Sequence, residues 1–224
     1  EAGRLSPGQE KKPVRASSVF ARAGLTSILV MALSLVTGVL VARVLGAENR
    51  GYLAAIVFWP QMLATFLRVP FSNVIVILKE RENGIEALAR LALKIAWIVV
   101  LFAAPLVVIA DILLLGDAGR ERVLLSTLFA VVLVFCSQQT QVFEGVLRAT
   151  GRFDLVNALR ISVPLGYLVF GVIFALFGFS LAGFVFAHVL SMLVSYALRL
   201  FIFHRSGRAA TADADAPSSS VLLR

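Results

Sequence analysis

Apolar positions along this chain come in long unbroken runs, not in the alternation of a half-buried strand or the narrow stripe of a soluble helix. Residues 23–42 form 20 uncharged positions between Arg22 and Arg43. Residues 51–67 add 17 more, stop at Arg68, and resume over 69–78. Trp59-Pro60 and Val69-Pro70 predict a bent second helix that continues past Arg68. Residues 95–110 follow, extendable to 115 with a kink at Pro105, and then 21 uncharged residues over 123–143. The last run, 161–198, is 38 residues long. As one helix it would reach about 57 Å, against a hydrocarbon core of about 30 Å. Phe177-Gly178-Phe179-Ser180 supplies the break, so this run reads as a helical hairpin. The pattern predicts an all-α, polytopic membrane protein of six spans, near 23–45, 51–77, 92–115, 123–146, 155–177 and 180–203. Together they form a transmembrane domain over 17–205, between polar tails at 1–16 and 206–224 that read as disordered.

Composition narrows the class further. The 224 residues are 59% hydrophobic and only 15% charged, with a mean hydropathy of +0.92. Soluble domains run about 45–50% apolar and about 25% charged. Disorder, collagen, a disulfide scaffold and an ordinary cytosolic enzyme are excluded. The formal charge is +8, but its basic residues lie between apolar runs, where they face lipid headgroups. The lipid bilayer is therefore the expected partner, and nucleic acid is not. Cys136, His188 and His204 are too few for a zinc or iron site, so no metal is expected. No glycine-rich phosphate loop and no Ser/His/Asp set occurs, so neither a cofactor nor an enzyme activity is expected.

The charges also orient the chain. With six spans both termini share a side, and that side collects 17 basic residues against four on the other, Arg43, Arg50, Arg120 and Arg122. The positive-inside rule then puts both termini in the cytoplasm. The basic stretch ahead of the first span reads as a signal anchor.

Polar groups inside spans face a partner helix or a cavity. Ser137, Gln141, Glu144 and Arg148 fall on one face of the fourth helix, with Gln138, Gln139 and Thr140 widening it. Glu144 and Arg148 are spaced to pair. This stripe reads either as a cavity wall or as a helix end emerging among headgroups. Arg68 has the same two readings, a cation attracting a phosphate in a cavity or a side chain snorkelling to the interface. Gly183, Ala187, Ser191 and Ser195 lie four apart on the sixth helix, a ridge that admits a close neighbour, and Ser34 and Gly38 offer the same on the first. His188, one residue off the ridge, reads as a hydrogen-bonded structural histidine.

Two stretches are more specific. One is Val41-Ala-Arg-Val-Leu-Gly-Ala-Glu-Asn-Arg-Gly51, joining the first two spans and including Arg43, Gly46 and Gly51. The other is Phe143-Glu-Gly-Val-Leu-Arg-Ala-Thr-Gly-Arg-Phe153, with Arg148, Gly151 and Arg152, followed by Asn157 and Arg160. In order and spacing they resemble the polysaccharide-biosynthesis flippases, the O-antigen type of lipid-linked oligosaccharide exporter in the multidrug/oligosaccharidyl-lipid/polysaccharide superfamily. The resemblance spans about residues 17–204.

The resemblance implies that an undecaprenyl-diphosphate-linked glycan is flipped across a bacterial inner membrane for lipopolysaccharide or related surface polysaccharide. Two six-helix lobes would enclose a cationic cavity, driven by an ion or substrate gradient, with Arg68 and Gln141 on its wall. The sequence holds one such lobe, so a homodimer or a second lobe is implied as partner. A drug or cation exporter of the same superfamily and a non-transporting assembly partner or truncated remnant stand as alternatives. The charge asymmetry carries a direct test of orientation. A reporter active only in the periplasm, fused after Arg205, is expected to stay silent, and a signal there would invert the topology.

Overall fold

A computed structural model describes residues 16–78, 85–116 and 119–215. Arg4, Lys11, Lys12, Arg15, Lys79, Arg81 and Arg224, part of the charge bias above, lie outside them. Six helices follow one another: α1 (Ala16–Phe66), α2 (Phe71–Leu78), α3 (Ile85–Leu115), α4 (Arg120–Ala149), α5 (Phe153–Leu176) and α6 (Leu181–Asp215). No strand occurs among the described residues. The protein is an all-α polytopic membrane protein.

α1 runs 51 residues, about 77 Å of helix and far more than one bilayer crossing. It is divided at Gly46, whose φ of 71° and ψ of −177° lie outside helical geometry. Side chains 30–41 from before the break and 50–57 from after it line one common cavity, so the second half folds back beside the first. The first two spans are thus a hairpin built around one glycine.

The second span differs from the expected continuous bent helix. It ends at Phe66, and after a short non-helical link the separate helix α2 begins at Phe71. Pro70 has no N–H to continue the ladder, and it steers Val69 away from helical geometry. Gly145 of α4 lets α2 lie close, because a Cβ there would sit 2.9 Å from the Ser72 Cα.

α4 touches every other helix. Its Phe129 and Val134 are fully buried with Ile56 of α1 and Phe184 of α6 in the principal core. Large apolar residues point outward instead, among them Met31, Leu101, Phe102 and Leu113. Buried inside are Ser126, Gln138, Gln139 and Arg199. An apolar exterior around a partly polar interior suits a surface in contact with lipid.

Two contacts mark the ends of the bundle. An Arg22–Asp154 ion pair of 2.9 Å joins the start of α1 to the start of α5. At the other end the Arg122 guanidinium lies 3.4 Å over the Tyr52 ring. The α5–α6 turn falls at 177–180, with Gly178 at a φ of 76°. α6 runs on to Asp215, into the segment expected as a disordered tail, where alanines favour continued helix. The expected tails at 1–15 and 216–224 lie outside the described residues.

Gly46 occupies a backbone region that a Cβ makes costly. Gly46→Ala is expected to lower stability by roughly 1–3 kcal/mol, read as a drop in detergent-solubilised unfolding temperature. An unchanged transition would show that the hairpin does not depend on this residue.

Candidate functional site

The fourth helix sorts its side chains by face. Ser137, Thr140, Gln141, Glu144 and Arg148 are half-buried, whereas Gln138, Gln139, Val142 and Gly145 are buried against neighbouring helices. The half-buried face opens on a polar cavity of about 520 Å³. The other walls come from Gln61 and the linker Arg68, from Arg160 and Val163 of α5, and from His188 and Arg199 of α6. The five cavity candidates picked out by sequence, Arg68, Ser137, Gln141, Glu144 and Arg148, are therefore brought onto one lining.

Their polar contacts are local. Arg148 donates to Glu144 at 3.3 Å, one helical turn away. Ser72 donates to Gln141 Oε1 at 3.0 Å, joining α2 to α4. Ser137 donates to the Val134 carbonyl within its own helix. Arg68, on the linker between α1 and α2, is exposed and forms no recorded ion pair with a described residue.

Several residues gain importance only in three dimensions. Gln138 bridges the break after Phe66. Its Nε2 donates to the Leu67 carbonyl at 2.8 Å, and its Oε1 accepts from the Val69 N–H at 3.4 Å. Arg199, one of the basic residues that charge counting puts on the cytoplasmic side, is only 5% exposed inside α6. Its Nη2 donates to the Leu159 carbonyl of α5 at 3.1 Å, and its Nη1 donates to the Ser195 hydroxyl and carbonyl of α6. Ser195 and Ser162 share a further hydrogen bond across the same seam. Asp111, which no motif marks, is 1% exposed and accepts a 2.7 Å bond from Ser126, away from the cavity.

The expected small-residue ridges divide. Ala187, Ser191 and Ser195 are buried, and a Cβ on Gly166 of α5 would approach Ser191 Cβ at 3.0 Å, so this part of the α6 ridge packs on α5. Gly183 is buried at the α5–α6 turn, against Phe174 and Phe179. Ser34 and Gly38 are exposed, and no described helix packs on Gly38. Both face a second cavity, and a Cβ on Gly38 would meet no atom within 4 Å. His188 departs from the hydrogen-bonded role, since its buried Nδ1 has no partner and its ring stacks on Tyr167 with centroids 4.5 Å apart.

The motif residues serve geometry first. Gly46 breaks α1, and Gly151, at a φ of 75°, lets the Arg152 N–H close back on the Leu147 carbonyl at 2.8 Å. Arg43 and Gly51 are exposed near the Gly46 turn, and Arg152 leads into α5.

The arrangement can hold an anion. Four arginines and one glutamate share the lining, and guanidinium groups pair with phosphate through two parallel hydrogen bonds.

The family model described as polysaccharide biosynthesis protein matches residues 21–217. No curated protein matches the chain. Among solved structures, the chain is similar to an outward-facing conformation of a multidrug resistance MATE family transporter of the MOP superfamily, at 23% identity and a TM-score of 0.60. The match covers 82% of this chain and 44% of the transporter, so the chain spans less than half of that protein's length. At that identity the likeness speaks for the fold.

Arg199 ties α5 to α6 beneath the cavity. Arg199→Ala is expected to lower stability by about 1–3 kcal/mol, with Arg199→Lys recovering only part, because one ammonium cannot span both helices. Equal melting of all three proteins in detergent would remove the tie.

Proposed function

The chain belongs to the polysaccharide biosynthesis protein family, and from that premise we propose that it translocates a polyprenyl-diphosphate-linked oligosaccharide across the bacterial inner membrane. The carrying observation is the polar cavity, lined by Arg68, Arg148, Arg160 and Arg199 against Glu144 alone. Glu144 is engaged with Arg148, which leaves three arginines facing the space with no recorded ion pair to a described residue. A cation within a bilayer costs about 2.5–3.5 kcal/mol at mid-membrane. A diphosphate entering such a cavity meets Arg199 already held by hydrogen bonds, and Ser137, Thr140 and Gln141 offer hydrogen bonds to sugar hydroxyls.

The described helices supply one wall. We assign the facing wall to a second six-helix lobe, in keeping with a match that covers 44% of the neighbouring transporter. Rocking of two lobes would then expose the cavity to either side in turn. The drive is a gradient of ions or substrate, and both termini face the cytoplasm. On this reading the protein serves surface-polysaccharide assembly of the O-antigen type. A cation exporter is the weaker reading, because the lining repels cations.

Two substitutions separate these readings. Arg68→Ala is expected to cut export of the lipid-linked glycan by about tenfold or more, with membrane insertion unchanged. Glu144→Gln removes the acid of the lining and is expected to preserve glycan export, whereas a cation exporter would lose its activity. Full export by well-expressed Arg68→Ala protein would take that residue out of the mechanism.

A further inference from the structure

The polar cavity adjoins a second one of opposite character. This space, of about 460 Å³, lies between the two halves of α1 and the middle of α5. Val30, Val41, Leu53, Val57 and Pro164 give it aliphatic walls, and Arg50 is the one charged residue in its lining. Thr37 also borders it, but its hydroxyl donates to the Leu33 carbonyl at 2.7 Å and is satisfied within α1. Val163 and His188 belong to the walls of both cavities. Each space falls in the range of about 300–1,000 Å³ usual for ligand sites.

The seam between them is distinctive. His188 lies flat against Tyr167 and beside Phe129, so the partition is aromatic. Its Nδ1 is buried without a hydrogen-bond partner, at the point where the polar lining gives way to the apolar one. On the α1 side, Ser34, Gly38 and Ala54 are small and leave the wall concave. A side chain added at Gly38 would meet open space, and Ser34, Gly38 and Ala54 are exposed, so the space is an open groove on this side.

We propose that the apolar cavity seats the hydrocarbon chain of an anionic amphiphile whose headgroup occupies the polar cavity, one molecule spanning both with its phosphoester link beside Val163 and His188. This rests on the cationic cavity being a headgroup site. Adjacency points to the occupant, because Val163 and His188 line both the cationic and the apolar space. The chain of the bound molecule then lies in the groove between α1 and α5 instead of in bulk lipid.

The test uses the full chain in phosphatidylcholine nanodiscs and two farnesyl monophosphate probes, one with a diazirine at mid-chain and one with it beside the phosphate. The mid-chain probe is expected to label the peptides carrying Val30, Leu53 and Val57. Excess farnesyl monophosphate should abolish that labelling, and farnesol should not. Gly38→Phe fills the void and should lose the mid-chain adducts while the head probe still labels Ser137 and Gln141. Ser34→Leu is a shallower plug with the same expected direction. Labelling of these positions that no competitor reduces, as at lipid-facing Leu101 and Phe102, would mean ordinary membrane lipid fills the groove and would overturn the proposal. Competed head labelling without chain labelling would overturn it and leave the headgroup reading standing. Failure of competition with both probes would overturn the two together.

Discussion

Gln138 reaches from α4 to both sides of the chain break at 67–70, donating to the Leu67 carbonyl and accepting from the Val69 N–H. Inside a bilayer no water solvates backbone groups freed by a proline, and each one left unpaired costs several kcal/mol. The break is therefore tolerable only where a side chain with both a donor and an acceptor stands opposite it. An amide fits that need, and a hydroxyl of similar reach does not provide both functions at that span. Once the break is secured, the linker can carry Arg68 out of helical register and turn it to the cavity. Gly145 completes the arrangement by letting α2 lie directly on α4.

The same constraint explains why α4 is both the most central helix and the most polar wall. Its neighbours surround it, so its polar side chains meet other protein groups or the cavity and not lipid. Arg199 shows how a buried cation is managed without a carboxylate. Its guanidinium is shared among the Leu159 carbonyl and both oxygens of Ser195, three neutral acceptors on two helices. Neutral acceptors steady the group but do not cancel its charge. Arg199 thus fixes the α5–α6 seam while leaving positive potential at the cavity.

Much of the fold was legible because the bilayer sets a length scale. The 38-residue run at 161–198 had to be a hairpin, and Gly178 sits at its turn. The stripe on α4 was legible for a related reason, since helical periodicity alone puts Ser137, Gln141, Glu144 and Arg148 on one face. Arg199 was not legible. One arginine at the edge of an apolar run looks the same whether it anchors in headgroups or turns inward, and the difference lies in Leu159, forty residues away. The break before α2 was half-visible, as Pro70 announced a disturbance, but its partner Gln138 was 71 positions distant from the carbonyl it binds. Ser34 and Gly38 were open for a different reason. Small residues permit close approach without compelling it, and among the described residues both stay exposed on the apolar cavity.

That cavity bears on which side of the molecule faces lipid. Over residues 21–45 of α1 only Thr37, Val41 and Leu45 are buried, so most of this stretch has no protein neighbour among the described residues. Apolar residues such as Leu25 and Met31 suit hydrocarbon there. The face that carries Arg68, Arg148 and Arg160 does not, because several cations set against hydrocarbon would each bring a cost of about 2.5–3.5 kcal/mol at depth. Water or protein must therefore stand before the polar cavity, while lipid can stand before much of α1. The apolar cavity lies between these two environments, bounded by the α1 hairpin on one side and by His188 on the other. A molecule with a charged head and a long apolar chain has the same division of character, and at this boundary it can seat its chain beside α1 without drawing its head out of the arginines.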